Sequence, residues 1–516
     1  MTERAAAAPP GDSGGDIAAL AKGGRTNFLG FLLRLAARLP FLFIAGRYYG
    51  AAELGRFASA LVVVELTALL CSIGEKRGLA QRLSEGEHEP PANLIADGML
   101  VALGLSLLAA AFFYLVPAPL FPSGEYTELD KLIVLAIPAY ALTEIALAAQ
   151  AYRYDIATTV RARAIVEPWT ISILAGVFIF VEPVADSGLS MAYLLSIYAG
   201  LAAALWPYFR TYGLPRNWTP HPTRMARMTW RALPLAAADA IEWGTRRIDI
   251  FILGLFAAPT AVGVYYIAQQ VASLPQKLKT SFEPILGPVI TKALKDKDFK
   301  AIAKQVCQVG FWITAAQGGI ALALGIPGEA VMGLVGPNFV GGTGALGLLL
   351  AAEVVAATAV VSEAALVYMA RMRNLMVSIG TIALQAVLTV AAMLAIDAYG
   401  LPELWRAAGA ALALMVALGV SSLVKATMLS RLLGETVNNW RWALIVAAAV
   451  GILVGQVAIR LPEWAELVFG IPAILLAYGW VVWRRGFGPE DRVLFSRNKS
   501  AVLNEIPPSP PPEDPR

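Results

Sequence analysis

Two stretches of otherwise apolar sequence carry charged residues whose types and spacing could do chemistry. Arg34 and Arg38 lie four apart in FLLRLAARLP, and Asp239, Glu242, Arg246 and Asp249 lie in DAIEWGTRRIDIF. Residues four apart on a helix share a face. At about 100° per residue the second set falls within an arc of about 80°. Guanidinium groups bind phosphate or carboxylate oxygens through two parallel hydrogen bonds. An ionised side chain near the middle of a bilayer costs roughly 2.5–3.5 kcal/mol on insertion scales, so it faces a partner or a wet cavity. Arg34, Arg38 and Arg246 are therefore candidates to bind an anion, with Lys277 and Lys279 extending a basic path toward the mouth of the cavity. Asp239, Glu242 and Asp249 are candidates for a gate or for ion coupling. Glu242 and Arg246 have the favoured i, i+4 order, and pairing of Arg34 or Arg38 with Asp239 or Asp249 would make the same charges a structural clamp. The remaining intramembrane acids, Glu65, Glu144, Glu167, Glu283, Glu353 and Glu363, are scattered one or two to a helix. Each is read as a locally hydrogen-bonded carboxylate.

Other chemistries find no support. His88 and His221 sit in separate loops with neither metal nor triad spacing, and Cys71 and Cys307 lie singly in apolar runs. There is no GxxxxGK[ST] phosphate loop. The formal charge of +4 is spread over many short loops, which does not point to nucleic acid. No cofactor and no enzyme activity are expected.

The elements that must position these charges come in a repeat. RLPFLFIAGRYYGAAELGRFASALVVVEL, from Arg38, aligns without a gap on RRIDIFILGLFAAPTAVGVYYIAQQVASL, from Arg246. The offset is 208: Arg38 falls on Arg246, Gly46 on Gly254 and Gly55 on Gly263. Such a duplication in apolar sequence indicates two homologous bundles related by a pseudo-two-fold axis, with Arg38 and Arg246 brought toward that axis. Hydrophobic residues make up 58% of the chain, charged residues 15%, and the mean hydropathy is +0.63, so the membrane is its solvent.

Apolar segments of about 20 residues fall near 27–49, 54–74, 94–116, 130–152, 163–183 and 188–210, then near 232–256, 261–288, 305–326, 343–369, 375–397 and 404–430, with a last pair near 440–460 and 463–484. The expected fold is an all-α polytopic membrane protein of about fourteen transmembrane helices: two six-helix bundles plus two C-terminal helices. Residues 27–210 form the first bundle, 211–231 a basic linker, 232–430 the second bundle and 431–486 the final pair. Residues 1–26 and 487–516, rich in Ala, Pro and Gly or in Pro and acid, are expected to be disordered tails. Loops on one side carry Lys76, Arg77 and Arg82, Arg153, Arg161 and Arg163, Arg216, Arg224, Arg227 and Arg231, and Lys292 to Lys304. The intervening PAPLFPSGEYTELD, EPVADSG, FAAPTAV and IPGEAVMGLVGPNFVGG contain no Lys or Arg. By the positive-inside rule the basic side is cytoplasmic, as are both termini.

GRYYGAAELGRFASA or GLFAAPTAVGVYYIA opening a helix, with LVGPNFVGG before the tenth, resembles the polysaccharide flippases of the multidrug/oligosaccharidyl-lipid/polysaccharide exporter superfamily. The resemblance covers nearly the whole chain. It implies two bundles forming a V around a central cavity, alternating access, and transport of undecaprenyl-pyrophosphate-linked oligosaccharide across the bacterial cytoplasmic (inner) membrane for surface or exopolysaccharide export. Cationic cavity residues would receive the pyrophosphate, and a polysaccharide polymerase and export machinery are implied as partners besides membrane lipids. A drug exporter of the superfamily would place an acid in the first helix, where this chain has arginines. The lipid II flippase branch ends that helix with an Arg-Asp pair, where this chain has FLLRLAARLP. A membrane polysaccharide polymerase or ligase would need a large outer loop, and the longest here is under about 20 residues.

Overall fold

The structure, a computed structural model, describes residues 39–85, 90–153, 155–276, 290–291, 293–488 and 491. Its described residues form helices and connecting turns without a strand. Helices are the form in which a membrane segment satisfies every backbone polar group within itself. The chain enters through a π-helical turn, Ala45–Tyr49, and bends at Gly50, whose φ of +80° is left-handed. A residue with a Cβ pays about 1–2 kcal/mol there. The first half continues as α1 (Gly50–Cys71), α2 (Glu75–Glu85), α3 (Pro91–Leu115), α4 (Ala136–Tyr152), α5 (Glu167–Phe178) and α6 (Gly188–Tyr212). The second half comprises α7 (Pro222–Phe256), α8 (Pro259–Gln276), α9 (Phe299–Gly325), α10 (Thr343–Met369), α11 (Arg371–Ala398) and α12 (Leu404–Leu433), and α13 (Trp442–Ala458) and α14 (Ile471–Val481) follow.

Helical backbone occupies part of every segment expected to cross the membrane. Among the described residues nine helices are long and apolar enough to do so, and α13 is a shorter apolar helix. The expected count of fourteen goes beyond these nine.

The duplicated glycines meet. A Cβ on Gly55 of α1 would lie 1.7 Å from the carbonyl oxygen of Pro259, and one on Gly263 of α8 would lie 2.0 Å from that of Ala51. Pro259 is the repeat mate of Ala51 (259 − 51 = 208). The contact is therefore isologous: each half offers the same patch to the other. No side chain fits between the backbones, so α1 and α8 approach as closely as small residues permit.

Around this crossing one apolar cluster draws on both halves, including Leu54, Phe57 and Leu61 with Leu253, Tyr265 and Tyr266. Phe57 stands edge-on to Tyr266, with ring centroids 6.5 Å apart. Toward the basic loops the halves separate into their own cores, one around Leu79, Ile95, Ile145 and Tyr208 and the other around Ile302, Val361, Leu366 and Leu429. The halves share this core at the low-charge end, and at the basic end α7 is also docked on the first half, with Leu235 beside Gly74 and Arg224 paired with Asp97.

Two boundaries differ from the sequence expectation. Helix α7 starts at Pro222, inside the expected linker, because that stretch is docked against the first half rather than spanning a gap. Asp97 of α3, 2% exposed, accepts a hydrogen bond from Trp218 at 2.8 Å and pairs with Arg224. Asn93 and the Arg216 backbone exchange two further hydrogen bonds. The C-terminal tail expected from residue 487 starts later. Phe487 packs edge-on to Phe311, and Asp491, 3% exposed, accepts from Arg441 (2.8 Å), Trp312 (2.9 Å), Gln308 (3.2 Å) and the Gly488 N–H (2.9 Å). The tails at 1–26 and beyond Asp491 lie outside the described residues.

Gly55→Ala and Gly263→Ala should each lower stability by about 2 kcal/mol, as overpacking does. Gly104→Ala, where nothing lies within 4 Å, should be neutral or gain up to about 1 kcal/mol in helix propensity. Thermal melting in detergent separates these outcomes, and three indistinguishable melting curves would refute the backbone contact. Burial raises the Asp491 carboxyl, but its donors outweigh that and hold it below the ordinary aspartate range. A depressed folded value contributes stability above the unfolded value of about 3.9 and loses it as pH falls through the folded value. The stability gap between wild type and Asp491→Asn should thus be full at pH 7 and close below about pH 4. A gap independent of pH would contradict this.

Candidate functional site

Helix α7 is 35 residues long and carries most of the charges singled out in the sequence. Their common face alternates between buried and open positions. The Glu242 and Arg246 side chains are 56% and 41% exposed and pair loosely at 3.7 Å. Asp239 and Asp249 are 4% and 0% exposed. Near its far end α7 runs against α1, where a Cβ on Gly254 would lie 3.0 Å from the Ser59 hydroxyl oxygen. Neighbours therefore close over positions 239 and 249 but leave 242 and 246 open.

Asp249 has partners within its own half. The Tyr265 hydroxyl of α8 donates to it, as do the Gln269 amide at 3.2 Å and the Ile250 N–H at 2.9 Å. Among the described residues the carboxylate fastens α7 to α8. Gln269 also donates to the Arg246 carbonyl at 3.1 Å and accepts from Arg247 at 3.5 Å, which fixes the backbone on which both arginines stand. Arg34, Arg38 and Lys277 lie outside the described residues, as does Glu283.

Several residues escaped the sequence reading. Arg247 donates to Gln269 of α8 at 3.5 Å. In the first half, Arg163 stands in a π-helical turn, Arg161–Val166, of a kind often found at functional positions. It bonds Glu167 at 2.6 Å and Glu144 at 2.5 Å and lies 4.3 Å over the Tyr140 ring. Gly200 leaves the room, since a Cβ there would sit 2.7 Å from a Glu167 oxygen. Read singly, Arg163 was a topology marker and Glu144 and Glu167 isolated acids. The i, i+4 spacing of Arg163 and Glu167 was the available signal, and only the fold supplies Glu144. In the second half Lys425, 4% exposed, bonds Glu363 at 3.0 Å and the Ser378 hydroxyl at 3.2 Å. Each half thus neutralises an acid with its own cation, whereas Arg246 faces the opening with a long, solvated pair.

A family profile described as polysaccharide biosynthesis protein matches residues 21–293. No curated protein matches the chain in sequence. Among solved structures the chain is similar to the lipid II flippase MurJ in an inward closed conformation, at 11% identity and a TM-score of 0.69, covering 89% of this chain and 99% of that one. It is also similar to an inward-facing multidrug resistance MATE family transporter of the MOP superfamily, at 14% identity and 0.62, covering 78% and 98%. The Vibrio cholerae MATE transporter VcmN in its bent form follows at 13% and 0.54, covering 81% and 98%. At such identities the likeness shows the fold.

Removing one member of a buried ion cluster leaves uncompensated charge, so Arg163→Ala should destabilise by about 3 kcal/mol. Neutralising all three groups, as Arg163→Met with Glu144→Gln and Glu167→Gln, should recover most of it. Glu242→Gln should cost less than about 1 kcal/mol, because its pair is solvated. Chemical or thermal denaturation checks the order, and an Arg163→Ala protein as stable as wild type would overturn the triad.

Proposed function

Because the chain belongs to the polysaccharide biosynthesis protein family, we propose that this multi-pass membrane protein is a flippase. It carries undecaprenyl-pyrophosphate-linked oligosaccharide from the inner to the outer leaflet of the bacterial cytoplasmic membrane by alternating access. The observation that carries the reading is Arg246. It is a 41% exposed guanidinium on the helix that opens the second half, with only a loose partner in Glu242. A pyrophosphate is a multivalent anion suited to the bidentate fork of arginine. The Glu242 carboxylate, 3.7 Å away and solvated, is a weak competitor that such a ligand displaces.

On this reading the basic loops face the cytosol, with both termini, and the V opens toward the leaflet where the substrate is made. Arg34 and Arg38, the latter the repeat mate of Arg246, complete the anion site from the first half, and Lys277 extends it. Glu242 and Asp239 are the acids placed to couple binding to an ion gradient. Substrate supply and use fall to glycosyltransferases, a polymerase and export machinery. An organic cation would meet Arg246 with like charge, which disfavours a drug exporter.

The test is transport of a labelled lipid-linked oligosaccharide in proteoliposomes. Arg246→Ala should abolish flipping in a correctly folded protein, and Arg246→Lys should restore it only partly, because a single ammonium lacks the fork. Full activity of Arg246→Ala would sink the assignment.

A further inference from the structure

The two halves are held together at both ends, and the two closures differ in kind. At the low-charge end the contact is backbone against backbone at Gly55 and Gly263. Water cannot take the place of such packing. At the basic end the contact is made by the connector between the halves, residues 213–221, and by the first turns of α7, where hydrogen bonds at the edge of solvent carry it.

Asp97 of α3 is the centre of that second closure. It is 2% exposed, and both carboxylate oxygens are engaged from the far side: Oδ1 accepts from the Trp218 indole at 2.8 Å, and Oδ2 accepts from Arg224, whose side chain is 38% exposed. One helical turn away Asn93 grips Arg216, donating to its carbonyl at 3.1 Å and accepting from its N–H at 3.2 Å. Asn217, between the two fastened residues, is left-handed with a φ of +48°, a conformation asparagine tolerates better than most residues with a Cβ. From Arg224 to Leu235, about 17 Å, α7 then lies along the first half. Met228 meets Arg82 of α2, and Leu235 enters a notch left by Gly74 and Gly78, where Cβ atoms would lie 2.6 and 3.0 Å from its side chain. Farther along, α7 belongs to the second half, through Ile382 of α11 beside Gly244 and through Tyr265 and Gln269 of α8.

We propose that the connector and the first turns of α7 form a clasp that closes the basic end and releases Asp97 to admit the substrate, with Asp97 setting how often the clasp opens. The proposal rests on the flippase reading above, under which the head group enters between the halves from the basic side. The chemistry of the two closures makes the basic end the easier to open. Trp218, Arg224 and Asn93 can each exchange a protein partner for water, so little is lost net per bond, whereas parting Gly55 from Pro259 gives up close packing that lipid does not replace.

Spin labels on Ser84→Cys of α2 and Arg231→Cys of α7, both exposed positions, report the separation by pulsed electron resonance in lipid nanodiscs, with Cys71→Ser and Cys307→Ser as background. The labelled protein should show the closed distance with a minor longer component. Asp97→Asn, which keeps the shape and removes the charge, should enlarge that component about tenfold. Trp218→Phe should enlarge it less, since Arg224 still holds the carboxylate. A merely structural Asp97 would lower the melting temperature and leave the distances alone, so one unchanged distance in all three proteins overturns the proposal. Transport gives a second readout. In Gly78→Cys with Leu235→Cys, positions already in contact, oxidation should stop flipping of a labelled undecaprenyl-pyrophosphate-linked oligosaccharide in proteoliposomes, and reduction should restore it. Undiminished flipping with the disulfide formed overturns the proposal as well. Should wild type not flip this lipid, the flippase reading fails, and the label distances decide the clasp separately: a longer component enlarged in Asp97→Asn supports it, and an unchanged one refutes it.

Discussion

The close approach of two backbones at Gly55 and Gly263 is the constraint on which the rest of this molecule depends. Between helices in lipid there is little hydrophobic driving force, because the tails are as apolar as the side chains, so tight backbone packing does the work. Here the same small-residue patch is used twice, Gly55 against Pro259 and Gly263 against Ala51. The crossing joins the two halves at the low-charge end, and the docking of α7 on the first half holds them together at the basic end. A shared core around Phe57 and Tyr266 and separate cores around Ile145 and Val361 follow from that geometry.

Depth along the V then decides what each charge does. Close to the apex neighbours surround α7, and an acid such as Asp249 persists only because Tyr265 and Gln269 donate to it. Away from the crossing, Arg163 and Lys425 are committed to Glu144, Glu167 and Glu363 within their own bundles. These pairs lie within single bundles, whereas Arg224 and Asp97 join the two halves. Arg246 differs. Its pair is long and solvated, so it contributes little to holding the fold. Arg247 donates to Gln269 of α8 within its own half.

Much of this was legible in the sequence. Apolar runs long enough to span a bilayer mark the helices, since backbone polar groups in lipid admit few alternatives. The offset of 208 marks the duplication, and Gly55 and Gly263 stand out within it. The charged face of α7 follows from helical periodicity alone. What periodicity could not supply was the partner of each side chain. Glu144 and Arg163, or Glu363 and Lys425, lie on different helices and are joined only by packing. Asp239, Glu242, Arg246 and Asp249 share a helix face, yet the buried and exposed members separate because exposure depends on how near the neighbouring helices stand. Sequence determines the direction in which a side chain leaves its helix. Tertiary structure determines whether water or protein awaits it there, because interhelical distance is the outcome of contacts among residues far apart in the chain.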